Sequence, residues 1–173
     1  MHQKLLMIPV VCSLLAAFSS LSIAAESQEF AHTARIRVFK EAAVTLYPGA
    51  YCYGSNSPAA IQATDGEASI FSLNKKVGMP VTLDMPAAYN EYVIAAGKPL
   101  TVMLKLEAVR DGVKASCGPL GATFYPQAGK NYDVTMGYAG SCFAQIRELI
   151  ETSPGKAAAR QFPSGASYPC SFK

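Results

Sequence analysis

The chain has no tryptophan, only two histidines, and charged side chains at just 16% of its 173 residues. It contains no Cys-x-x-Cys pair, no Gly-x-Ser-x-Gly elbow and no Asn-x-Ser/Thr sequon. Each absence excludes something. With His32 the one histidine beyond the N-terminal segment, a structural zinc site has no ligand set. Without the elbow, no strained turn presents a serine nucleophile. His32 stands before the first expected strand, where a flexible arm does not hold a catalytic base rigidly. Asp84, Glu91, Asp111 and Asp133 stand apart in turns and on strand faces, so no paired carboxylates emerge for glycoside hydrolysis. The longest basic cluster is Lys75-Lys76 and the net charge is +3, too weak a field for nucleic acid. Met79, Met85, Met103 and Met136 are too irregularly spaced for a copper site. The expectation is a protein with no catalytic residue, no metal and no cofactor.

What is present points outward from the cytoplasm. Lys4 precedes an apolar run from Leu5 to Phe18, and Ser22-Ile23-Ala24 supplies small residues at the −3 and −1 positions. This order predicts a signal peptide over 1–24, cleaved after Ala24. A retained anchor is the alternative, but Ser19, Ser20 and Ser22 interrupt the run and no basic cluster follows it. No stable membrane insertion is expected after cleavage. Cys12 goes with the signal. The remaining Cys52, Cys117, Cys142 and Cys170 read as two disulfides in an exported chain. Of three pairings, Cys117–Cys142 is local, and Cys52–Cys170 then ties the end of the chain to its beginning.

Short runs separated by Gly/Pro turns predict strands. They cover Ala34–Phe39, Ala43–Tyr47, Ala50–Tyr53, Glu91–Ala95 and Leu100–Val109, with shorter ones at Ala68–Leu73 and Val81–Leu83. Residues 54–67 read as a polar loop, and Arg110-Asp111-Gly112 as a turn. Cys117 to Ile146 reads as a three-strand antiparallel meander closed by its own disulfide, its runs being Ala122–Tyr125, Tyr132–Tyr138 and Cys142–Ile146. In the connecting turn, Gly129 supplies a positive φ. Tyr132 enters the strand with its hydroxyl near the backbone just upstream, as in a tyrosine corner. Gln145–Ala159 holds the one weak helical period.

The expected fold is therefore all-β, an immunoglobulin-like or transthyretin-like antiparallel β-sandwich over 25–150. Residues 151–173 are expected as an irregular tail tied by a disulfide, because their composition turns to Pro, Gly, Ser and Ala.

The motifs Val-Thr-Leu-Tyr-Pro-Gly-Ala-Tyr-Cys-Tyr-Gly at 44–54, Val-Gly-Met-Pro at 77–80 and Glu-Tyr-Val-Ile-Ala-Ala-Gly-Lys-Pro-Leu-Thr-Val at 91–102 carry a resemblance. So does the Cys-Gly-Pro to Gly-Ser-Cys stretch at 117–142. Together they cover most of residues 34–150, and the chain resembles a group of small, secreted, largely uncharacterised bacterial envelope proteins. The resemblance implies export and a compact β fold. It implies no activity and no site residues. Where relatives carry a lipid-anchor cysteine this chain has none, which implies a free periplasmic or extracellular protein.

The functional expectation is a non-enzymatic protein-binding β-sandwich. Its partner would be another envelope protein or a delivered toxin, the chain being immunity-type or an accessory of the envelope. The alternative is a small-ligand or glycan-binding module using Tyr47, Tyr51, Tyr53, Tyr89 and Tyr92 as an aromatic face.

Overall fold

The computed structural model describes residues 32–54, 57, 59–67, 73–110 and 113–171. The expected signal peptide lies outside them. So do nearly all of the Ala68–Leu73 strand and the Asp111-Gly112 part of the expected turn.

The described residues form a β-sandwich and include no helix. In chain order the strands are β1 (Thr33–Phe39), β2 (Ala43–Pro48), β3 (Ile61–Asp65), β4 (Tyr89–Ala95), β5 (Leu100–Arg110), β6 (Val113–Phe124), β7 (Asn131–Tyr138), β8 (Cys142–Ser153), β9 (Lys156–Gln161) and β10 (Gly165–Ser167). One sheet runs β4-β1-β7-β8-β9 and the other β10-β6-β5-β2-β3. Every pairing between these strands is antiparallel except β1 with β7.

Alternation builds the core, because successive side chains leave a strand on opposite faces. Ala34, Ile36 and Val38 of β1 and Val134 and Ile146 of β7 and β8 face Val44, Leu46, Val102, Leu104 and Ala122 of the other sheet. Phe124, Tyr132 and Phe162 close one end as a ring cluster, with centroids 5.0–6.0 Å apart in edge-to-face contact.

The expected meander is a different object. β6 pairs with β5, while β7 and β8 belong to the opposite sheet. The connection at 126–130 is therefore an arch between sheets. The Tyr132 hydroxyl fixes it by accepting the Gln127 N–H at 3.0 Å, and Gly129 turns it at φ +73°. The tyrosine corner read from the sequence is present. Cys117–Cys142 consequently bridges the two sheets, β6 to β8, instead of closing one sheet on itself. Cys142, Ala144 and Ile146 share the inward face, because successive side chains of β8 alternate.

Other strand limits also moved. Ala50–Tyr53 is not a strand; only Tyr53 makes an isolated bridge, to Pro169. The Pro48-Gly49 turn redirects the chain there, and Cys52–Cys170 pins it. Val81–Leu83 likewise reduces to one bridge, Val81 to Lys156. β3 lies in the expected polar loop, as an edge strand whose Ala63 is its one fully buried apolar residue. The weak helical stretch is the β8–β9 hairpin.

The expected irregular tail is tied by Cys52–Cys170 but is not irregular. β8 runs on to Ser153, Pro154-Gly155 makes a tight turn with Gly155 at φ +73°, and β9 and β10 follow. The Lys-Ala-Ala-Ala-Arg-Gln strand has few β-branched residues. Its ladder with β8 rests on backbone pairing, joined by the Arg160–Glu148 and Gln145–Gln161 side-chain bonds, none of which composition reports.

Candidate interaction surface

Residues 73–88 cross the outer face of the β4-β1-β7-β8-β9 sheet as a strap. Beneath it lies a row of charges. Glu91, Arg37, Asp133 and Arg147 are successive register partners on β4, β1, β7 and β8. Their signs alternate, and Arg37, Glu91 and Asp133 are buried. Arg37 donates to Glu91 Oε1 through Nε at 3.1 Å and Nη2 at 2.8 Å, and to the Met79 and Pro80 carbonyls of the strap. Glu91 Oε2 accepts the Val77 and Met79 N–H groups at 2.7 and 3.3 Å. Arg147 holds Asp133 bidentately, both bonds at 2.8 Å. Asp84 of the strap lies 3.8 Å from Arg147 Nη1.

The electrostatics follow from these contacts. Burial works to raise the Glu91 carboxyl, but Arg37 and the two strap N–H groups outweigh it and hold it below its ordinary value. At Asp133 burial is the larger influence and lifts the carboxyl above its ordinary value despite Arg147. Elsewhere, Glu148 sits between Lys130 (3.2 Å) and Arg160 (2.7 Å). These bonds overcome burial and keep its carboxyl low. Every acid of the row is occupied by a cation or by backbone, so the row fastens the strap and leaves no carboxylate poised for proton transfer. Sequence reading treated the acids as isolated in turns and on strand faces, did not single out Arg147, and missed the row. Its signal was the register, which a single chain does not display.

The five tyrosines expected as a face are not brought together. Tyr47, Tyr53 and Tyr89 are buried. An ideal Cβ built on Gly121 would meet the Tyr53 ring at 2.6 Å, so the ring occupies the space that glycine leaves open. Tyr89 lies under the Arg37 guanidinium at 5.0 Å. Tyr92 is half-buried, donates its hydroxyl to the Ala63 carbonyl at 2.9 Å, and carries Lys75 over its ring at 4.2 Å. Tyr51 alone is exposed, and its partner is Tyr125, which donates to it at 2.8 Å. His32 borders an open hollow with Tyr125, Pro126 and Gln127. Among the described residues no group of three His, Cys, Asp or Glu is placed to hold a metal ion.

An open, largely apolar surface lies at the far edge of the same sheet, where the strap meets β9. Val81 pairs with that edge: its N–H donates to the Gly155 carbonyl at 3.0 Å and its carbonyl accepts the Ala157 N–H at 2.8 Å. The strap then turns back over the sheet towards Arg147. Between it and β9 runs a groove of about 480 Å³, lined by Val81, Thr82, Leu83, Thr152 and Ala157 to Ala159, with the charged Asp84 and Lys156 at it as well. Leu83 is fully exposed, and Val81 and Ile150 are about 40% exposed. Thr82 is buried, and its hydroxyl has no hydrogen-bond partner among the described residues.

Comparison with known protein families, curated proteins and solved structures finds no match for this chain. Two disulfides mark an oxidising compartment. Among the described residues no helix is long and apolar enough to cross a membrane.

Proposed function

We propose that this chain is a non-enzymatic, protein-binding β-sandwich exported to the bacterial periplasm or beyond, after loss of a signal peptide over 1–24. Its resemblance to small secreted envelope proteins supports the location, as do its two disulfides. The role is that of an immunity-type or accessory protein of the envelope. The observation that carries protein binding is the β9–strap groove. An exposed leucine, a half-exposed valine and three alanines line it on an open sheet edge, and such surfaces mark contact sites. The glycan reading rested on a five-tyrosine face, and the burial of Tyr47, Tyr53 and Tyr89 removes that support.

Photocrosslinking tests the reading. A photoreactive amino acid replaces Leu83, and a control replaces Tyr138, which is exposed at the opposite end of the β7–β8 ladder. In envelope extract, position 83 should give a discrete protein adduct that unlabelled protein competes away, and position 138 should not. No adduct, or the same adducts from both positions, contradicts the reading.

A further inference from the structure

The β9 edge is more than an apolar groove. The Ala157 N–H points away from β8, since it donates to Val81. The Phe162 N–H points towards β8, since it donates to Ile146. By strand alternation, the Ala157 carbonyl, both groups of Ala159 and the Gln161 N–H also point to the free edge. None of these has a hydrogen-bond partner among the described residues. Val81 occupies only the beginning of that edge, where a single bridge already uses its backbone groups.

Resting on the protein-binding reading above, we propose that β9 is a strand-addition site. Its occupant is an extended segment of another protein that alternates acidic and apolar side chains. Main-chain bonds to Ala157, Ala159 and Gln161 would supply affinity, and alternate side chains specificity. One face of β9 carries Lys156, Ala158 and Arg160, and both cations are exposed. Acidic side chains on that face of an added strand would lie opposite them. The other face carries Ala157, Ala159 and Gln161 beside Leu83 and Asp84, and there the alanines and Leu83 complement small or apolar side chains while Asp84 repels acidic ones. The unpartnered Thr82 hydroxyl lies at the same groove and would be satisfied by the incoming backbone. A second copy fits poorly. Antiparallel pairing of β9 with itself brings Lys156 and Arg160 opposite or diagonal to their own kind, at a cost. Charges commonly blunt a sheet edge, and Lys156 and Arg160 do so here against cationic or identical strands, which leaves an acidic strand as the complement.

The test uses the full chain in its oxidised form and a blocked seven-residue peptide of alternating glutamate and valine. The same peptide with lysine for glutamate is the control. Amide NMR should show the Ala159 and Gln161 N–H signals shifting and becoming protected from exchange with the glutamate peptide. The lysine peptide should bind at least about tenfold more weakly. Ala159→Pro removes one donor at a position where an edge strand tolerates proline, and should abolish binding with the fold retained. Lys156→Glu should erase most of the preference between the peptides. Unshifted Ala159 and Gln161 amides at millimolar glutamate peptide overturn strand addition, and equal affinity for the two peptides overturns the acidic partner. If the peptides fail while the Leu83 adduct persists, only this inference falls. If both fail, the protein-binding reading falls with it.

Discussion

The Arg37 guanidinium and the Glu91 carboxylate meet at 2.8 Å on adjacent strands, and neither side chain reaches solvent. Asp133, also buried, is Arg37's register partner on the other side. Arg37 thus holds two strands and the strap that covers them.

Removing that cation should be costly. Arg37→Met leaves Glu91 and Asp133 without it in a dry site, and breaking a buried pair from one side costs about 3–5 kcal/mol. Chemical denaturation should show a loss of that order. The double variant Arg37→Met, Glu91→Leu should recover part of it. A single-variant loss under about 1 kcal/mol would contradict the assignment.

The row also sets a pH dependence. Glu91 and Glu148 are held below their ordinary values. Their contribution is present above the unfolded glutamate value and is lost as pH falls through the folded one. Asp133 is raised, so its contribution is present below its unfolded value and lost as pH rises through the folded one. Unfolding free energy followed from neutral pH into the acid range should fall. Glu91→Gln should flatten that fall, and Asp133→Asn should steepen it.

The Tyr132 hydroxyl accepts a backbone N–H at the arch between sheets. Tyr132→Phe leaves that donor without its acceptor and should cost about 1–2 kcal/mol with the fold unchanged. Thermal unfolding reads it, and an unaltered midpoint would argue against the corner as a structural device.

The bridges should differ in reach. Cys117–Cys142 closes a separation of 25 residues and joins the sheets, while Cys52–Cys170 spans 118. On the chain-entropy model they contribute about 3.5 and about 5 kcal/mol respectively. Cys142→Ser should destabilise the whole sandwich. Cys170→Ser should in addition expose the segment after β9 to protease. Non-reducing peptide maps should show only these two links, and a Cys52–Cys117 or Cys52–Cys142 peptide would refute the arrangement.

Much of this was legible in the chain. The run Ala34–Phe39 marked β1, and the Gly129–Tyr132 turn marked the place where the Tyr132 hydroxyl meets the backbone just upstream. The cysteine pairing was right, although the reason was not: Cys117 and Cys142 meet across the two sheets. Turn residues mark where a chain bends, and the same Pro-Gln-Ala-Gly-Lys serves a hairpin or an arch. β9 escaped because alanine-rich edge strands depend on backbone pairing. The Glu91–Arg37–Asp133–Arg147 row escaped because its members are far apart in sequence and meet only through register. The tyrosine face failed because Tyr53 fills a space left by a glycine on another strand, which nothing near Tyr53 records.

Whether the β9 edge is open is read by amide hydrogen exchange on the free, oxidised protein. An open edge gives fast exchange at Ala159 and Gln161 and slow exchange at Ala158 and Arg160, whose N–H groups face β8. Equal protection at all four positions would mean that the edge is already covered, and would contradict strand addition.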